Sequence, residues 1–230
     1  MASADRIAYF NGQFVPERDV RVPFRDRGFK YGDAVFDTTR TFGHRVFKLA
    51  EHVERLYRSL RYLRIDPGVT PEKMISITEE VLRRNLSLLE PDEDYWVTQR
   101  VSRGLEAAYR DVWNQEGATV IVECVPLPLR ERAPLYRDGI RVMTPSVRRT
   151  PPEALSPRVK THNYLNLIAG NLEVQAQDPG GVGRASRHGG QPRRRPGEQH
   201  LPRAGRHARH AARAGGALGD QPGDGDHPRA

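Results

Sequence analysis

Lys160 stands in the run Pro157-Arg158-Val159-Lys160-Thr161-His162-Asn163-Tyr164, with a tyrosine four residues after the lysine. An amine in a confined, partly desolvated pocket loses its proton more easily and attacks an aldehyde to form a Schiff base. Freed again, it can move a substrate's Cα proton. Taken alone, such a lysine is more often a solvated surface charge. His52 and Arg55 share one helix with Ser59, on neighbouring turns beside an apolar stripe. They read either as a polar flank pairing with Glu51 and Glu54 or as an arginine fork that grips a phosphate. Arg27-Gly28-Phe29-Lys30-Tyr31-Gly32-Asp33-Ala34-Val35-Phe36 reads as a tight turn that presents Tyr31 and Phe36 to a cleft. Val101-Ser102-Arg103-Gly104 ends a strand, where Arg103 is either a surface charge or a partner for a carboxylate.

The elements that hold these residues follow from period and punctuation. Asn11-Gly12 between IAYF and QFV predicts a hairpin, and Gly43-His44 a second turn after a strand at 36–42. Leu49, Val53, Leu56, Leu60 and Leu63 recur at helical spacing and predict an amphipathic helix. Thr70-Pro71 opens the next helix, with threonine as cap and proline in the first turn. Strands are expected at 95–101 and 119–125, a proline-bearing linker at 126–136, a strand after Gly139 and a helix over 163–177. Strands, then helices, then strands predict an α+β fold in two domains, 1–125 and a second begun by 137–178.

Composition divides the chain in two. Residues up to Asp178 mix aromatic, aliphatic and charged types. Residues 179–230 draw almost wholly on Gly, Ala, Arg, Pro and His, with ten Arg against four acids, so about +6 of the net +8 lies there. Such a tail cannot bury enough apolar surface to offset its chain entropy and is expected to be disordered. Its basic charge alone would suggest a nucleic-acid partner, but none is expected, because a shifted reading frame accounts for it better. The single cysteine, Cys124, excludes a disulfide and fits a reducing compartment. The N-terminus shows no apolar core after a basic start, and no apolar run suits a membrane span, so a cytoplasmic protein is expected. His207 and His210 lack a carboxylate or thiolate partner, and no metal is expected.

Singly these motifs are weak; their order and spacing are not. RGFKYGDAVFDTTRTF, then KLAEHVERLYRSL, then VSRG, then PRVKTHNYLNLIAGNLE resemble the first two thirds of a fold-type IV (class IV) aminotransferase over residues 6–178. The resemblance implies the two-domain class IV fold, here with its second domain truncated. It implies pyridoxal phosphate carried on Lys160, contacted by Tyr164 and held at its phosphate by Arg55. It also implies a substrate pocket that draws on Tyr31, Phe36, Arg40, Tyr95 and Arg103. The partners would be an amino acid, foremost a branched-chain one, and a 2-oxo acid, with a homodimer when the protein is intact. Thr38-Thr39-Arg40 is also similar to aminodeoxychorismate lyases, and Arg103-Gly104 to D-amino-acid and (R)-selective transaminases, so these activities stay open.

After Asp178 the family's glutamate for the pyridine nitrogen and its second phosphate turn are missing. They return if the tail is back-translated and read one base later. Residues 198–203 can be encoded so that the shifted frame reads S-N-I-F-L-V, and residues 220–226 so that it reads I-S-R-A-T-V-I. An extra base near Pro179-Gly180-Gly181 is therefore expected, with the glutamate encoded at Arg194 but not made. A chain of this kind is expected to be inactive.

Overall fold

The computed structural model describes residues 5–106 and 117–184. They group into two compact units: the chain up to Leu129 together with Pro151–Tyr164, and Arg130–Thr150 together with the described chain from Leu165 onward. The boundary differs from the expected one. The segment that bears Lys160 belongs to the first unit, because its backbone pairs with a strand there. The expected linker instead holds a helix, α4 (Leu129–Asp138), with Pro134 inside it.

The first unit is an antiparallel sheet in the order β2-β1-β6-β5-β3-β4. Its strands are β1 (Ile7–Phe10), β2 (Gln13–Pro16), β3 (Ala34–Phe42), β4 (Arg45–Val46), β5 (Tyr95–Ser102) and β6 (Thr119–Pro126). Asn11 and Gly12 close the β1–β2 hairpin at φ 45° and 96°, the left-handed values that a two-residue turn demands. Two helices, α2 (Leu49–Leu63) and α3 (Pro71–Asn85), cover one face. Thr70 caps α3 by accepting from Lys73 N at 3.2 Å. The core between sheet and helices holds Val53, Leu56 and Leu60 of α2 and Met74, Ile77 and Val81 of α3. The strands add Val35, Tyr95, Val97, Val101 and Val122.

A short helix, α1 (Arg27–Tyr31), replaces the expected turn before β3. Asp26 starts it by accepting from Gly28 N and Phe29 N, and Gly32 ends it at φ 67°. In the second unit, β7 (Arg141–Met143) pairs in parallel with β8 (Gly181–Gly183), and α5 (Leu165–Gln177) packs on β8 through Val174. The tail expected to pack against nothing from 179 thus begins with a paired strand. A run of glycines can still form a ladder, because the bonds come from the backbone. Residues 185–230, with His207, His210, Arg194 and the shifted-frame motifs, lie outside the described residues.

Candidate active site

β4 pairs only with Thr41 and Phe42, so the outer edge of β3 is open at its start. Residues 160–162 fill it. Phe36 N donates to Lys160 O at 2.9 Å, His162 N donates to Ala34 O at 3.0 Å, and Thr161 bridges Val35. Extended backbone has a side-chain period of two, and Lys160, His162 and Tyr164 fall in one row on the Phe36 ring. Lys160 Nζ lies 4.5 Å from the ring centroid, and the His162 and Tyr164 rings 5.4 Å each. Nζ donates to Tyr164 Oη at 3.4 Å. Lys160 is half-buried, so its amine meets a phenol and an aromatic face in a partly dry setting. Asn163 Nδ2 ties the row to Gly32 O at 3.2 Å.

α2 supplies the second part. Ser59 Oγ accepts from Lys160 N at 3.2 Å, and Arg55 and His52 continue the same helix face away from it. The Arg55 fork meets Asp37 of β3 with Nε at 2.7 Å and Nη2 at 2.9 Å, and His52 Nδ1 lies 2.7 Å from the same carboxylate. Asp37 is fully buried. Burial alone would push its carboxyl up, but hydrogen bonds from His52 and Arg55, with their charge, outweigh this and hold it below the ordinary carboxylate range. Asp37 is therefore ionised and His52 Nδ1 is the donor to it. In front of Arg55 lies a cleft of about 230 Å³ lined by Lys48, Glu51, His52, Arg55 and Arg58. Four basic side chains against one carboxylate, Glu51, leave a positive balance that suits an anion.

The remaining expected site residues divide. Phe36 is at the centre of the lysine row. Tyr31 is exposed, and its hydroxyl donates to Glu106 at 2.8 Å. Arg40 lies roughly 13 Å along β3 from Phe36; it binds Asp94 at 3.3 Å and stacks on Phe42, away from Lys160.

Tyr95 and Arg103 stand where they cannot line a pocket. Tyr95 has no exposed surface, and its hydroxyl donates to Asn85 O at 3.0 Å. Alternation along β5 turns Tyr95, Val97, Gln99 and Val101 to the helices, and Trp96, Thr98 and Arg100 to the other face. Arg103 is buried. It bonds Asp33 with Nε at 2.7 Å and Nη2 at 3.1 Å, and the carbonyls of Leu63 and Arg64 that end α2 at 2.8 and 3.0 Å. Its donors are spent on the protein.

Reading the sequence missed Asp37, Arg100 and His162 as members of the site. Arg100 pairs with Phe36 across the sheet, its guanidinium 5.5 Å from the ring, and bonds Glu123 at 2.8 Å. Burial first, and the Arg100 charge second, lower the His162 imidazole to about 4, so it is neutral near pH 7. The period of two after Lys160 was the one available signal for it. The donor set of an amine on an aromatic floor, a phenol beside it and a cationic cleft one helical turn away fits a phosphorylated aldehyde. Among the described residues no cluster could hold a metal ion, and no helix is long and apolar enough to cross a membrane.

Several known proteins are similar to this chain. The "Putative branched-chain-amino-acid aminotransferase" of Methanocaldococcus jannaschii is 39% identical over 167 residues, 72% of this chain and 54% of that protein. The aminodeoxychorismate lyase of Bacillus subtilis is 32% identical over 172 residues, 74% of this chain and 55% of that protein. The T.th. branched-chain amino acid aminotransferase complexed with N-(5'-phosphopyridoxyl)-L-glutamate superposes at a TM-score of 0.64 with 25% identity, over 76% of this chain and 56% of that one. The chain thus spans about half the length of the relatives it matches. The amino-transferase class IV family matches residues 34–181, from the first residue of β3 through the lysine row to the first residue of β8, and the chain belongs to that family.

Proposed function

We propose that the intact protein is a pyridoxal-phosphate-dependent aminotransferase that exchanges an amino group between a branched-chain amino acid and a 2-oxo acid. The observation that carries this reading is the row Lys160, His162, Tyr164 on Phe36, one turn of α2 from the Arg55 cleft. When bound, pyridoxal phosphate supplies an electron sink for charge at the substrate's Cα. Lys160 Nζ would hold the cofactor through its aldehyde, and, as the amine on this aromatic floor, would move the substrate's Cα proton. The Tyr164 phenol, 3.4 Å away, keeps a polar partner beside that nitrogen as it changes protonation. Arg55, whose Nε–Nη2 edge is on Asp37, would hold the phosphate by a charge-assisted contact from its cleft-facing side. Phe36 offers an apolar surface that suits an aliphatic side chain. The likeness to the Methanocaldococcus jannaschii protein supports the branched-chain assignment.

A lyase is the second reading, favoured by the Bacillus subtilis relative. An amino donor that converts the bound cofactor to pyridoxamine phosphate supports the transaminase; failure to accumulate it supports the lyase. The reading also includes a homodimer of the intact protein in a cytoplasmic setting. It includes a one-base shift near codon 179, which the DNA across codons 175–185 tests directly. For the lysine, incubation of the frame-restored protein with pyridoxal phosphate and borohydride reduction is expected to label Lys160. A label mapped by mass to another lysine overturns its assignment.

A further inference from the structure

The first unit contains two arginine–aspartate forks, and they are built differently. Arg103 and Asp33 are both turned inward, with side chains 6% and 15% exposed, and Arg103 spends its other donors on carbonyls. That pair is internal structure. In the other pair Asp37 is 0% exposed while Arg55 is 31% exposed at a cleft shared with Lys48, Glu51, His52 and Arg58. The carboxylate is behind the arginine, on the sheet, and the cleft is in front. Asp37 Oδ1 also receives His52 Nδ1, so a single buried anion orients both side chains. Lys48, Arg55 and Arg58, the last paired with Glu54, outnumber the one carboxylate of this opening, Glu51, so an anion in the cleft relieves their mutual repulsion.

We propose that Asp37 is the positioning residue of this cleft: it locks the Arg55 fork and the His52 ring in the orientation that receives a dianionic phosphate group. The inference rests on the reading of the cleft as a phosphate seat and adds the residue that shapes it. With Nδ1–H committed to Asp37, Nε2 is the ring nitrogen turned to the cleft, where it donates to an anion when the ring carries both protons. A fork held along its Nε–Nη2 edge presents the same face on every encounter, so the anion does not have to order a long side chain when it binds.

The sign of one substitution separates positioning from charge alone. Asp37→Asn removes a negative charge behind the cleft, so Coulomb attraction by itself would tighten binding of an anion. Positioning demands the reverse. The probe is sulfate, titrated into the 230-residue chain and followed by the side-chain NMR signals of Arg55 Nε–H and the His52 ring. Asp37→Asn is expected to weaken sulfate about tenfold, the scale of a charge-assisted hydrogen bond, and to abolish the His52 Nδ1–H signal. Asp37→Glu, which keeps the carboxylate, is expected to restore most of both. Sulfate bound as tightly or more tightly by a folded Asp37→Asn chain overturns the proposal. If that variant does not fold, His52→Gln decides: weaker sulfate supports the arrangement and unchanged sulfate overturns it. Arg55→Ala separates the levels. If it also leaves sulfate affinity unchanged, the reading of the cleft as a phosphate seat fails; if it alone weakens sulfate, only the role of Asp37 fails.

Discussion

Two arginines in similar pairs carry different predictions. Arg103→Ala strands the half-buried Asp33 carboxylate and the last carbonyls of α2, so it is expected to destabilise the first unit by about 3–5 kcal/mol and to leave the anion cleft alone. Arg55→Ala leaves the buried Asp37 carboxylate with His52 still bonded to it, so it is expected to cost stability on a similar scale and, unlike Arg103→Ala, to weaken retention of pyridoxal phosphate. Urea unfolding beside cofactor dissociation measures both, and loss of cofactor with Arg103→Ala but not with Arg55→Ala would exchange their roles. His162 sets a pH dependence. The unfolded chain protonates it near 6.5 and the folded chain only near about 4. Between these values the unfolded state binds more protons, so stability falls as the pH drops from 6.5 to 4. The interval corresponds to at most about 3 kcal/mol. Its Nε2 is buried with no hydrogen-bond partner among the described residues, which fits the neutral form. His162→Leu should flatten the urea midpoint across that window, and an unchanged slope would show that other groups set it. The aspartates act lower down. Asp33, Asp37 and Asp94 are all held below the ordinary range against the desolvation that opposes it, so their contribution is full above about pH 4 and is lost on further acidification.

At the scale of elements, Gly32 is where α1, β3 and the lysine row depend on one residue. Its φ of 67° is left-handed, and a Cβ there would lie 2.7 Å from Asn163 Oδ1. Gly32→Ala is therefore expected to push Asn163 away, loosen residues 160–164 on β3 and lower labelling of Lys160 while α2 and α3 persist. Equal labelling in the variant would show that the row does not depend on this contact. Thr70→Ala, which removes the α3 cap, is expected to cost about 1 kcal/mol and to leave the site alone. The local elements were legible because their signals are local. The leucine spacing of α2, Thr70-Pro71 before α3 and Asn11-Gly12 in the hairpin each state their structure within a few residues. The face of Tyr95 was not. Alternation is a relative signal, and the motif expectation set it one residue out of phase with the core. Asp37 was not legible either, because its partners His52 and Arg55 stand on another element and nothing in DTTRTF announces a buried charge. The return of Lys160 to the first unit needed the open edge of β3, which exists only once β4 is seen to be two residues long.

For the whole molecule, the described second unit contains only a two-stranded parallel sheet beside its helices. Leu165, Ile168 and Leu172 of α5 remain exposed, so that unit is only thinly covered. The 230-residue chain is expected to show no transaminase activity, whereas the chain with the frame restored after 178 is expected to show it with a branched-chain amino donor and 2-oxoglutarate. Turnover by the 230-residue chain would overturn the reading that the family's later motifs are needed.

The borrowed edge of β3 also fixes when this site can come into being. Ser59 and Lys160 are 101 residues apart in the chain. Closing so long a loop costs entropy before any contact returns it, and structures that depend on such distant pairings form slowly. During synthesis residues 34–126, with Asp37 and Arg55, leave the ribosome before residue 160. Residues 160–162 can join the edge of β3 only after that, so on the proposed reading the anion cleft can form, in the life of each molecule, before the amine arrives.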